Sequence, residues 1–170
     1  MTTSQTVPDL IEDALVSAKL FEDRIRSARG GLEGQPATAA QKEDQRAAYV
    51  ALELAAIDVF TLFEARMQHH FKRGPFSRKL KAALLEARKA DLANRIHTYY
   101  LAINVLKHGT GASYRELLGS STRSFQVKQV ERGTSQDVDA PSSYIDIDVP
   151  GFFDGLAQTL LEAHQFLEKR

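Results

Sequence analysis

The chain has 170 residues, 43% hydrophobic and 26% charged, with no cysteine and a formal net charge of zero. That length suits a single domain with a sizeable core, and the lack of cysteine excludes disulfides, thiolate metal sites and a cysteine nucleophile. No apolar run approaches the ~18 residues of a membrane span and no basic-then-apolar leader is present, so a cytoplasmic protein without a membrane partner is expected. The balanced total hides segregated charge: residues 1–65 carry 6 Lys/Arg against 11 Asp/Glu, residues 66–132 carry 14 against 4, and residues 133–170 carry 2 against 7. The basic middle can contact phosphates, or it can dock on the acidic flanks of its own chain or of a partner.

Residues 1–7 have no periodicity and are expected to be loose. Pro8 stands at a favoured early helical position, and Ile11, Ala14, Ala18, Phe21 and Ile25 continue a helical stripe until Gly30-Gly31. A linker with Gly34 and Pro36 precedes a second helix, expected to start at Thr38 or Ala39 and to extend toward Lys72, ahead of Gly74-Pro75. Its wide apolar face, including Leu52, Ala56, Val59, Phe60 and Phe63, predicts the most buried helix. Phe76 opens a third helix carrying Leu80 and Leu84, and a short break is expected at Arg88-Lys89-Ala90-Asp91.

The stretch Asp91–Leu118 carries the only polar constellation suited to chemistry. Leu92, Ile96, Tyr99, Ile103 and Leu106 form an apolar stripe, while Asn94, His97, Asn104 and His108 recur on roughly the opposite side. Gly109 predicts the helix end, and Tyr114–Leu118 predicts one extra helical turn. The period then changes to that of strands in Ser124–Glu131 and Tyr144–Val149, which predicts a hairpin across the long polar connection Arg132–Ser143. Pro150 restarts a C-terminal helix with Phe152, Phe153, Leu156 and Leu160. The expected fold is therefore mainly α in a single domain: an antiparallel bundle of four to five helices in all, with its core over residues 8–118, a small β-hairpin over 124–149, and its C-terminal helix over 150–169.

Asn104-Val105-Leu106-Lys107-His108-Gly109, with an Asn four residues ahead of a His at a helix end, resembles the HEPN superfamily, helical bundles associated with nucleotides and nucleic acids in bacterial defence and toxin systems. The resemblance spans roughly residues 8–118. It implies a homodimer in which Asn104 and His108 of both subunits face a shared cleft. His108 would move the proton, Asn104 would orient it or a phosphate, and Lys107 and neighbouring basic residues would hold RNA or a nucleotide. The candidate substrate contacts are Lys107, Arg115, Arg95 and His97, with no metal and no cofactor. Where ribonucleases of the family carry Arg, this chain has Ile103. That departure implies a binding or degenerate member, or, if active, a metal-independent endoribonuclease in which the RNA 2′-hydroxyl attacks the scissile phosphate and the 5′-oxygen leaves. Arg95 lies on another face and would replace the missing Arg only from a second subunit.

Each residue also has a plainer explanation. A positive His108 beside Lys107 suits a helix C-terminus, and a half-polar seam with Asn fits a helix–helix interface. His69-His70 point about ~100° apart on a helix and need a further partner to share an ion, so a basic helix end is expected there. Gly109-Thr110-Gly111 is a turn rather than a phosphate loop, the serines sit in no nucleophile elbow, and Phe125, Tyr144, Phe152 and Phe153 alternate as core residues do. The competing function is a non-enzymatic dimeric protein-interaction module, in which the basic middle meets acidic surfaces.

Overall fold

The structure, a computed structural model, describes residues 4–29, 35–120, 125–129 and 144–170. Among these residues the fold is mainly helical: α1 (Val7–Arg29), α2 (Ala39–Met67), α3 (Phe76–Glu86), α4 (Ala90–His108), α5 (Ala112–Gly119) and α6 (Phe152–Glu168). None of these helices is long and apolar enough to cross a membrane. The end of the first helix at Gly30-Gly31, the start of the linker, both ends of the predicted first strand and all of the predicted hairpin connection lie outside the described residues.

Local chemistry sets the helix ends. Thr38 caps α2 reciprocally: its hydroxyl accepts from the Gln41 amide at 3.2 Å while the Gln41 side chain accepts from the Thr38 amide at 2.8 Å. The helix stops at Met67, short of the expected Lys72, and tightens into a 3-10 turn over Gln68–His70. Phe71 then turns extended so that its ring meets Phe76 edge-on at 5.6 Å. The break between α3 and α4 is real: the Lys89 amide donates to the Leu84 carbonyl and the Arg88 amide to the Leu85 carbonyl, the paired bonds of a Schellman cap. Arg88 occupies its left-handed position at φ 60°, where glycine is the usual residue. At the other end of α4, Gly109 takes φ 72° as the sequence predicts.

Helices α1 and α2 run antiparallel, joined near one end by Arg24–Asp44 at 2.6 Å and near the other by Arg66–Ser4 at 3.3 Å. Helix α6 lies antiparallel to α4, because Tyr99 meets Phe152 and Gly155 while Arg95, one turn earlier, meets Thr159 and Glu162. Helices α1, α2, α4 and α6 surround one core that includes Ile11, Leu52, Phe60, Phe63, Ile103 and Leu160, and α3 and α5 flank α4. The bundle thus has six helices among the described residues rather than four to five, and α5 has eight residues rather than one turn.

Among the described residues the predicted hairpin is not formed. Val127 and Ile145 make one isolated antiparallel bridge, flanked by Lys128 N–H to Tyr144 O at 2.7 Å and Asp146 N–H to Gln126 O at 3.1 Å. The chain then turns over 147–150. Two strands alone are marginal in water, and no third strand among the described residues extends the pair. Ile145 and Ile147 bury themselves against the helices instead, and Tyr114 of α5 donates to the Lys128 carbonyl at 2.7 Å.

Two substitutions test this packing. A Cβ added at Gly155 would collide with the Tyr99 hydroxyl, which is buried and held by the Phe152 carbonyl at 3.2 Å. Gly155→Ala is expected to destabilise by about 1–3 kcal/mol, lowering Tm by about 2–4 °C per kcal/mol. Arg88→Gly should instead stabilise by about 1 kcal/mol by removing the left-handed penalty; a calorimetric Tm that falls would contradict the cap described here.

Candidate functional site

Helix α4 buries Leu92, Ile96, Tyr99, Leu101, Ile103 and Val105. Its accessible arc holds Asn94, His97, Tyr100, Asn104, Lys107 and His108, spaced three, three, four, three and one residues apart, as one helical face requires. Beside that arc, α2, the start of α3 and α4 enclose an open cleft of about 860 Å³ lined by Thr61, Phe76, Arg78, Lys81, His97 and Tyr100, among others. Its size is in the range of small-ligand sites.

The predicted site residues do not all converge there. His97 lines the cleft, stacks on Tyr100 with ring centroids 6.2 Å apart at 23°, and pairs with Glu116 of α5 through Nε2 at 2.7 Å. Lys107 reaches the cleft's edge, donating from Nζ to the Thr61 hydroxyl at 3.2 Å. Asn104 donates to Ser113 Oγ at 3.4 Å and so joins α4 to α5. His108 and Arg115 are exposed and have no side-chain hydrogen bond or ion pair among the described residues.

Arg95 is committed elsewhere: its guanidinium bonds Glu162 at 2.6 Å, Asp91 at 2.9 Å and Thr159 at 3.2 Å. The hydrogen bond to Glu162 is the main cause that raises its pKa, and the same bond holds the Glu162 carboxyl below its usual range. Ile103, where the HEPN resemblance would place an Arg, is 1% exposed in the core.

Sequence reasoning passed over three features. Arg78 and Lys81, one turn apart on α3, add positive charge to the cleft; their signal was the basic block itself. Glu64 opposes them but accepts a hydrogen bond from Ser77 at 2.6 Å. His69 and His70 lie beside Glu168, a residue far away in sequence.

The third feature is a polar cluster where α1, α2 and residues 144–149 meet. Asp148, its side chain 6% exposed, accepts from Tyr49 OH at 2.8 Å and pairs with Arg29 at 2.6 Å, and Arg29 also bonds the Tyr49 hydroxyl. Burial pushes the Asp148 carboxyl up, but hydrogen bonds from Asp146 and Tyr49 together with the Arg29 charge outweigh it and leave it below its usual value. Asp146 is raised, chiefly by its hydrogen bond with Asp148 and then by burial, so the pair favours sharing one proton. Tyr49 is pushed up to about 12, first by burial and then by Asp148. These groups satisfy one another and clamp the segment to the bundle.

No protein-family model, curated protein or solved structure matches the chain.

The clamp makes stability depend on pH in two opposed ways. Asp148, depressed on folding, contributes stability above the unfolded carboxyl range that is lost as pH falls through its folded value. Asp146, raised from 3.8, contributes below that value and loses the contribution as pH rises through its folded value. Asp146→Asn keeps a donor toward Asp148 at every pH. It is expected to gain about 0.5–1.5 kcal/mol at pH 7 and little below pH 3.8, a difference that urea denaturation at the two pH values measures.

Proposed function

We propose that the chain is a HEPN-like protein of bacterial defence or toxin type that binds RNA without cleaving it efficiently. The reading rests on the cleft between α2, α3 and α4, where Arg78, Lys81 and Lys107 stand beside the stacked rings of His97 and Tyr100. Cations beside aromatic faces suit a single-stranded nucleic acid, whose phosphates meet the charges while a base stacks. Binding is favoured over cleavage because three catalytic requirements are weak. Ile103 is core, Arg95 is spent on Glu162 and Asp91, and Asn104 is turned to Ser113 rather than to His108. Should cleavage occur, His108 would be its acid or base, with no metal required.

A second reading, a dimeric protein-interaction module, draws on another face. Val50 and Leu54 of α2, one turn apart, are 50% and 52% exposed. Apolar residues exposed side by side on one helix suit association. Dimerisation through this face would serve either function.

RNA binding by the purified chain is expected to weaken steeply with salt. Neutralising Arg78, Lys81 or Lys107 should each reduce the slope of log K against log salt by about 0.7 on single strands. Arg115→Ala, on α5 outside the cleft lining, should matter less. Intact RNA after incubation in chelator is expected throughout. Absence of binding at low salt, or slopes unmoved by the three cleft substitutions, would reject the RNA reading; a dimer dispersed by Leu54→Glu would then support the interaction module.

A further inference from the structure

We propose that His69, His70 and Glu168 form a site for one divalent transition-metal ion of the zinc type, linking the end of α2 to the end of α6. One ligand atom from each residue lies within 4.8 Å of the other two. In a tetrahedral site with bonds near 2.0–2.1 Å, neighbouring ligand atoms stand about 3.3 Å apart. His70 Nε2 and Glu168 Oε1 are already at that spacing, 3.1 Å apart. Closing the site asks His69 and Glu168, both exposed, to draw in around the half-buried His70.

Adjacent histidines on a regular helix diverge, but these two do not. The 3-10 turn brings their rings to 4.2 Å between centroids at a tilt of 36°. The Nδ1 of His69 lies 2.8 Å from the Arg66 carbonyl oxygen. That oxygen can only accept, so Nδ1 carries the proton and Nε2 keeps its lone pair for an ion. A backbone carbonyl on the far nitrogen is how proteins commonly fix a metal-binding imidazole. Glu168 supplies the third partner that the two histidines lack on their own.

The donor set selects the class of ion. Two imidazoles and a carboxylate suit zinc and its neighbours, whereas calcium and magnesium take oxygen ligands. Three protein ligands leave a fourth position for water. The groove beside His70 also holds Lys72, Arg73, Lys79 and Arg170. Their charge opposes a cation, so binding weaker than that of a closed structural zinc site is expected. Without an ion, the same residues form no more than an exposed ion pair of small value.

Titrating the metal-free chain with Zn²⁺ in a calorimeter is expected to show one ion per chain and a higher Tm. Co²⁺ in its place should give the visible absorption of a four-coordinate ion. His70→Ala and Glu168→Gln should each weaken Zn²⁺ binding by more than about tenfold, while His164→Gln should leave it unchanged. Far-UV circular dichroism checks that each variant is folded, and Glu168→Gln carries the test should His70→Ala fail to fold. No binding, or binding that both variants retain, would overturn the site and leave the ion on unrelated surface histidines. The result is independent of RNA binding, since none of the three ligands lines the cleft between α2, α3 and α4.

Discussion

Helix α4 has very little free surface, and that constraint organises the rest of the molecule. Its neighbours α2, α3, α5 and α6 cover most of its circumference, with Tyr99 wedged against the bare backbone of Gly155. What α4 can present outward is one narrow arc. Its polar groups divide between contacts to other helices, as with Asn104 and Ser113, the edge of the cleft, as with Lys107, and open solvent, as with His108. His97 does the first two, touching α5 through Glu116 and the cleft through Tyr100.

The charge segregation resolves into two populations. Part of the basic middle docks on the acidic C-terminal flank: Arg95 with Glu162 and His70 with Glu168. The cations of α3, together with Lys107 and Arg115, have no acidic partner among the described residues, and Arg78, Lys81 and Lys107 gather at the cleft. Internal docking and ligand binding are thus both open to one chain, divided by position. A second polar device, the Arg29–Tyr49–Asp148 cluster, gives no residue to that cleft and holds the irregular segment after residue 144 against the helices.

The helices were legible because their signals are local. Pro8, Thr38, Phe76 and Gly109 mark helix boundaries within two residues of where the structure has them. The break at Arg88 was legible only as a charged patch, because the left-handed position carries arginine where glycine would have announced a cap. Alternation in Tyr144–Val149 suggested a strand. In the structure the alternation instead separates two buried isoleucines from Asp146 and from Asp148, whose carboxylate meets Tyr49 and Arg29, groups nearly a hundred residues away or more. The cleft was half legible: His97 and Lys107 were read from α4, but Arg78 and Lys81 approach from another helix. His69-His70 gave no sign of Glu168, since nothing local joins residues 98 positions apart.

Helix α6 packs on α1, α2 and α4, and it is made after all of them. Phe152, Phe153, Leu156 and Leu160 are each almost wholly buried, and side chains of this kind contribute about 1.5–3 kcal/mol apiece when removed from water. A chain without α6 therefore leaves bare the apolar surface around Tyr99 that Phe152 covers. Such surface favours aggregation until α6 docks. Completion of the fold waits on α6, however early the first two helices pair.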